Sequence, residues 1–404
     1  MSTSSVGTAA IDLTDPTVFV RHDLHKFWSE VREREPVYWH EGSAGRPGFW
    51  VVSRYTDVLA GYTDASRLSS ERGTVLDVLL RGDDSAGGRM LAVTDRPRHR
   101  ALRNLMLRAF SPRVLGEVAE RVHRRAEELI KEVTQVGSFD FASEVAEHIP
   151  MSTICDLLSI PQADRLDLLR WNKSALSSED VEADPFAALE ARNEILRYLT
   201  DLAVARRAHP GGDIVSMIAT ATVDGAPLPI EDVALNCYSL ILGGDESSRV
   251  SAICAVKAFA EYPGEWRAVR DGDVALETAV EEVLRWATPA MHFARTATVD
   301  HELGGRRVRA GEIVTLWNLS ANFDERQFDE PRTFRVGRAP NKHVSLGHGP
   351  HFCLGAYLGR AELHALLTAL VGNVGQIELA GTPQRIYSTF LNGHSTLPVA
   401  FRGR

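Results

Sequence analysis

Apolar residues recur at helical spacing over most of the chain. Val145 to Leu158 and Phe186 to Val204 carry them at steps of three and four, the pattern of a helix with one buried face. From about Ile230 to Tyr262 the pattern predicts one long helix, with Glu231 and Asp232 supplying favourable charge to its first turn. A short helix is predicted from His22 to Arg34 and another from Glu277 to Arg285. Period-two segments are few. Val37-Tyr38-Trp39 and Phe49-Trp50-Val51-Val52 read as two strands around a Gly-rich turn. Pro161, Pro185 and His209-Pro210-Gly211-Gly212 punctuate the helices between 113 and 230. The acidic link from Ser178 to Asp184 is polar and expected to be mobile. The chain is therefore expected to be mainly α with small β-sheets.

Two breaks in the pattern carry more information than the regular parts. Residues 73–94 form an irregular apolar stretch that includes Leu76, Leu79 and Leu80. Such a stretch must cover something, either the core itself or an apolar ligand beneath a lid. The long helix is expected to be interrupted at Gly243-Gly244-Asp245-Glu246-Ser247-Ser248. Paired glycines weaken a helix interior and let another group approach the backbone. Ser247 can bond back to the Gly243 carbonyl and bend the helix. Asn236, Ser239 and Gly243 share one stripe leading to this point.

Composition narrows the function classes. The 404 residues are 44% apolar, enough for a large core, and no Pro/Gly/Ser-rich linker divides them. A net charge of −9 argues against nucleic-acid or anionic-membrane partners. Cys155, Cys237, Cys254 and Cys353 show no disulfide spacing, as expected in a reducing cytoplasm. No run of about 20 apolar residues and no basic-then-apolar leader is present, so a soluble cytoplasmic protein is expected. Residues 1–20 read as a flexible N-terminal arm.

Cys353 has the setting of a metal ligand. Gly347 and Gly349 allow a tight loop, and Cys353 stands just before the helical pattern that begins at Ala356. The free amides of a helix start favour a thiolate and are expected to lower the thiol pKa. No second Cys or His lies at zinc-finger spacing, so a single thiolate on a planar cofactor fits better than a four-ligand zinc site. Six arginines lie between positions 96 and 113, and His99 and Arg103 share a helix face. On their own they read equally as a solvated basic helix or as a site for a buried anion. Glu282 and Arg285, three apart, would ordinarily be an exposed pair of little consequence.

The stretch Leu346-Gly347-His348-Gly349-Pro350-His351-Phe352-Cys353-Leu354-Gly355 resembles the haem-binding loop of the cytochrome P-450 superfamily, Phe-Gly-x-Gly-x-His-x-Cys-x-Gly, with Leu346 at the Phe position. His99-x-x-x-Arg103, the Gly243–Ser247 segment, Glu282-x-x-Arg285 with Arg338, and the meander around Ala321–Pro331 follow the family's order over roughly residues 20–402. The resemblance implies one domain over residues 1–404 with the family's triangular-prism fold and a buried iron protoporphyrin IX, haem b. It implies that Cys353 is the axial thiolate. It gives His99, Arg103, Arg295 and His351 to the haem propionates, and Glu282, Arg285 and Arg338 to a buried ion network. Glu246 and Ser247 take the acid and alcohol places of oxygen activation, serine replacing the family's threonine.

Substrate contacts implied by the family segments are Met291, His292, Phe293, Phe390, Leu391 and Asn392. Leu76, Leu79, Leu80, Asn236, Ser239 and Gly243 are expected to complete the wall. Such a wall, apolar with a few polar groups, suits a mid-sized natural-product intermediate in secondary metabolism, aromatic or amino-acid-derived. The resemblance implies a soluble monomeric monooxygenase fed from NAD(P)H through ferredoxin reductase and an acidic ferredoxin, docked near Arg100 and Arg360. Ring closure, coupling or nitration by the same oxidant, and non-catalytic haem binding, remain as alternatives.

Overall fold

The computed structural model describes residues 11–42, 45–110, 112–176 and 185–403. The helix Ile230–Glu261 is the spine, buried along most of its length. Against it pack the helices His148–Leu157, Pro185–Ala208, Leu276–Ala287 and Ala356–Asn373. Their apolar faces share one large core with Pro112–Val133, built from residues such as Val122, Ile154, Ile195, Ile253, Val283 and Leu366. The expected mainly helical architecture with small sheets is what the chain forms.

The principal sheet has five strands, in the order Val37–His40, Phe49–Val52, Ile313–Leu316, Phe293–Ala297 and Leu68–Ser69. The first two form the antiparallel pair read from the sequence, with Trp39 opposite Trp50. Ile313–Leu316 runs parallel to Phe49–Val52 and antiparallel to Phe293–Ala297, where Val314 faces Arg295. This pairing carries Arg295 from a sheet into the protein interior. A smaller sheet joins Val374–Leu379, Pro398–Gly403 and Phe139–Asp140.

Several expectations are corrected. The long helix is continuous through the paired glycines, because flanking buried residues hold it in the core. Residues 73–94 are not wholly irregular: Leu76–Arg81 is a helix, and Leu91–Val93 a 3₁₀ turn. The first predicted helix starts at His25, preceded by a separate turn of helix, Pro16–Arg21. Asp15 caps that turn, its Oδ1 accepting from the Thr17 amide at 2.8 Å. Leu13 is fully buried and its amide donates to His40 Nε2 at 3.1 Å, so residues 11–20 are packed rather than a loose arm. The acidic link Ser178–Asp184, like residues 1–10, lies outside the described residues. Among the described residues no helix is long and apolar enough to cross a membrane.

Candidate functional site

The loop before the helix Ala356–Asn373 folds as its glycines require. Gly347 and Gly349 have φ of +67° and +69°. A Cβ at Gly349 would stand 2.6 Å from the Tyr62 carbonyl oxygen, so only glycine fits there. The Cys353 amide donates to the Leu346 carbonyl at 2.9 Å, closing the loop and setting the thiol at the helix start. Burial raises the Cys353 thiol above its ordinary value, opposed by the Gly355 amide, Arg103 and Arg360. The lowering expected from the helix end is thus outweighed in the metal-free chain, as desolvation penalises a bare thiolate. Among the described residues no group of three His, Cys, Asp or Glu side chains is placed to hold an ion alone. A metal at Cys353 must therefore bring its remaining ligands with it.

Around this thiol stand basic side chains that lack an anion. His99 is 3% exposed and its Nε2 has no partner. Its ring lies 4.1 Å from that of His351. Burial and Arg103 drive His99 down to about 4, and burial with Arg295 drives His351 down to about 3. Arg295 is 4% exposed, donates among the described residues only to the Ala294 carbonyl at 2.7 Å, feels the Asp95 carboxylate at longer range, and sits 5.8 Å over the Tyr62 ring. Arg103 Nη2 donates to the Phe352 carbonyl at 2.7 Å, tying its helix to the cysteine loop. A buried guanidinium without a carboxylate is costly. The cluster is complete only with a ligand that brings buried carboxylates, and the propionates of haem b are such groups. The residues present fit that cofactor.

On the long helix, Ser247 Oγ donates to the Gly243 carbonyl at 2.9 Å, as its position allowed. Gly243 is exposed in the middle of an otherwise buried helix, and a Cβ there would meet nothing within 4 Å. Space is therefore open beside the acid–alcohol pair. Glu246 is engaged by Arg249 Nη2 at 2.9 Å.

The sequence reading missed two further acids. Asp245 is buried and accepts a hydrogen bond from Asn172 Nδ2; burial, reinforced by Glu246, pushes it up to about 7. Glu362 is buried, bonded to Ser248 and Thr153, and burial pushes it up to about 7. A signal existed for Glu362, which sits four residues from both Leu358 and Leu366 on a buried stripe.

The predicted ion network is present. Glu282 and Arg285 are both fully buried and paired at 2.8 Å, and Arg338 Nε donates to Glu282 at 3.0 Å. Asn341 Nδ2 and the Arg335 amide donate to the same carboxylate. Arg285 and Arg338 also donate to main-chain carbonyls of the meander, at Asn322, Pro331, Asp329 and Thr333.

The expected substrate residues divide. Segments 289–291 and 390–392 are brought together, with the Met291 amide donating to Phe390 O and the Asn392 amide to Pro289 O, and a bridge between Ala290 and Leu391. Phe390 meets the rings of His292 and Phe293 edge-on, at 5.7 and 5.6 Å. His292 is fully buried against Trp317, with neither ring nitrogen partnered and its pKa driven down to about 3 by burial. Ser239 and Gly243 keep accessible surface.

The other expected residues have protein partners of their own. Asn236 accepts from the Leu91 amide at 3.0 Å and donates to the Arg89 and Asp232 carbonyls, so its amide is spent on pinning the 89–91 segment. Leu76, Leu79 and Leu80 are buried in one core with Met291, Ala294 and Trp317, which supports packing over a lid. The Asn392 amide group donates to Ala287 O at 2.7 Å and accepts from Arg385, away from Phe390. Arg360 is held by Glu281 at 2.6 and 3.0 Å, so its charge is already balanced; Arg100 is exposed.

Residues 275–381 match the family model described as cytochrome P450. The chain is 42% identical to cytochrome P450 NovI of Streptomyces niveus, over 97% of each protein. It is 33% identical to a steroid C26-monooxygenase of Rhodococcus jostii (strain RHA1), over 97% of this chain and 84% of the relative. The crystal structure of P450 OxyD, involved in the biosynthesis of vancomycin-type antibiotics, superposes with a TM-score of 0.89 at 35% identity, covering 98% of this chain and all of that one.

Proposed function

We propose a reaction on one premise: the chain belongs to the cytochrome P450 family and is a haem-thiolate oxidoreductase with haem b as its cofactor. The reading is that it hydroxylates or otherwise oxidises a mid-sized natural-product intermediate of secondary metabolism. The observation that carries it is the pair Phe293 and Phe390, which meet edge-on at 5.6 Å and keep accessible surface, with His292 buried behind them. A flat, largely apolar substrate suits that aromatic pair. The similarity to OxyD, named for antibiotic biosynthesis, supports the class.

Cys353 would hold the iron, and His99, Arg103, Arg295 and His351 the propionates. Haem b supplies the oxygen-activating chemistry when bound. The chain's own part is positioning and protons. Ser247 holds a hydroxyl proton beside the open face at Gly243. Arg249 fixes the Glu246 carboxylate. Asp245 and Glu362, with pKa values near neutrality, keep protons in store behind them.

We read the protein as one cytoplasmic P450 domain, monomeric, reduced from NAD(P)H through a ferredoxin reductase and an acidic ferredoxin. The face around the cysteine loop supports this docking: Arg100 and Arg108 are exposed, with Leu107, Phe352 and Tyr357 as exposed apolar residues among them. Turnover of candidate aromatic and amino-acid-derived metabolites with a ferredoxin system tests the reading. A product heavier by one oxygen is expected. Loss of two hydrogens would show coupling or ring closure instead, and reduction without oxygen use or product would show a non-catalytic haem protein.

A further inference from the structure

The turn Phe390–Gly393 has two sides. Phe390 lies on His292 and Phe293, whereas Asn392 and Gly393 line a separate cavity of about 380 Å³. None of the residues assigned above to the haem or to the proton store borders it. Its walls are contributed by distant parts of the chain: the N-terminal segment around His25, the end of the long helix, Trp286, the Leu319–Phe323 segment, and the Arg385–His394 hairpin.

The cavity has aromatic walls and two cations, Arg21 and Arg385, that form no ion pair among the described residues. Trp28, Trp286 and Phe323 line it, with Trp286 and His25 standing 5.6 and 4.4 Å from the Phe323 ring. Lys257 is spent on Glu261 at 2.6 Å, and Asp23 on Arg332 at 3.0 Å. Among the described residues Arg385 forms no ion pair, and the Asp23 carboxylate acts on it only from longer range. Among the described residues its one hydrogen bond runs from Nη2 to Asn392 Oδ1 at 3.2 Å, so most of its guanidinium donors have no partner there. It reaches water at the cavity mouth, yet its neighbours crowd it enough to lower its pKa by burial. His25 and His394 are driven down to about 4 and 3 by burial, so they are neutral at pH 7 and add no charge. The Cys254 thiol, pushed up to about 12 by burial, is neutral too. Trp28 Nε1 and His394 Nδ1 have no partner.

A guanidinium fork with free donors matches a carboxylate, and aromatic walls match a planar ring. The volume lies within the range of small-molecule sites. We infer that this cavity is a second binding site, outside the haem pocket, for a small aromatic monocarboxylate, whose carboxylate Arg385 holds while its ring lies on Trp286, backed by the buried Trp28 and Phe323.

The test uses the haem-loaded full chain with its haem pocket blocked by an azole, monitored through the Soret band. Calorimetric titration with 2-naphthoate should show one saturable site while the azole spectrum stays unchanged. The neutral 2-naphthylmethanol should bind at least tenfold more weakly, and Arg385→Gln, verified by unaltered haem content, should weaken 2-naphthoate at least tenfold. Absence of saturable binding, equal binding of the alcohol, or unaltered affinity in Arg385→Gln overturns the inference. A crystal of the wild-type holoenzyme soaked in 2-naphthoate gives a reading that needs no variant. Carboxylate density on Arg385 supports the site, and density elsewhere or none rejects it.

Discussion

Arg338 reaches across 56 residues of sequence to donate its Nε proton to Glu282 at 3.0 Å, inside the protein. Glu282 already receives Arg285, so one carboxylate holds a helix, the meander and the approach to the cysteine loop in register. Removing the shared acid leaves two buried guanidinium groups with only carbonyl partners. Breaking such a network costs about 3–5 kcal/mol. Glu282→Gln should therefore lower the urea midpoint markedly and reduce haem incorporation in the purified protein. A midpoint within error of wild type would show that the carbonyl bonds alone hold the meander.

Cys353→Ser should retain the fold, because the loop is closed by the Cys353 amide and by Gly347 and Gly349 rather than by sulfur. The reduced protein with carbon monoxide should lose the absorption band of thiolate-ligated haem. Persistence of that band in the variant would assign the ligand elsewhere.

Ser247 is bonded within its own helix, to Gly243 O, and faces open space at that glycine. Ser247→Ala removes the hydroxyl and leaves the helix continuous. Peroxide formed per NAD(P)H consumed should rise severalfold, with substrate affinity little changed. Equal coupling in the two proteins would mean that water or the substrate itself supplies the proton.

Legibility from the sequence followed how local each signal was. The cysteine loop was readable because its glycines and its helix start lie within ten residues of Cys353. Glu282 and Arg285 were visible as a pair, but their burial and their link to Arg338 depend on packing between distant segments and were supplied only by the family resemblance. Asn236 shows the opposite case. Its stripe pointed correctly along the helix, yet the Arg89–Leu91 backbone comes from 145 residues away to take its amide. Asp245 and Glu362 went unread because an acid is expected at a surface, and their environment is tertiary. Leu76, Leu79 and Leu80 were legible as apolar, but a core and a lid demand the same residues, and only the contact with Trp317 and Met291 decides between them.

Docking of an acidic ferredoxin should rest on Arg100 and Arg108 rather than Arg360, whose guanidinium Glu281 already holds. Exposed charge acts chiefly on association rate. Arg100→Glu with Arg108→Glu should slow reduction at low salt by roughly tenfold or more and flatten its salt dependence, while Arg360→Gln changes the rate little. Substrate-induced spectral shifts should be the same in all three proteins. An unaltered rate in the double variant would move the docking face away from the cysteine loop.

The last expectation concerns Asp245 and pH. Its carboxyl is buried and pushed up from 3.8 to about 7, with burial the largest cause and the neighbouring Glu246 the next. Glu362 adds to the rise, while Arg249 and the Asn172 amide oppose it. Between the two values the folded protein holds a proton that the unfolded chain has released. Proton binding then favours the folded state, so its contribution is fully present below pH 3.8 and fades as pH rises through about 7. Asp245→Asn imitates the neutral acid at every pH and keeps a partner for Asn172. The variant should match wild type near pH 3, below both values, and exceed it in stability by roughly 2–4 kcal/mol near pH 8.5. Glu362 titrates with the same sign and remains in the variant, so part of the slope should survive. Urea unfolding of both proteins across this range measures the difference. Parallel curves at all pH values would show that Asp245 is ionised in the folded protein and that Arg249 outweighs its burial.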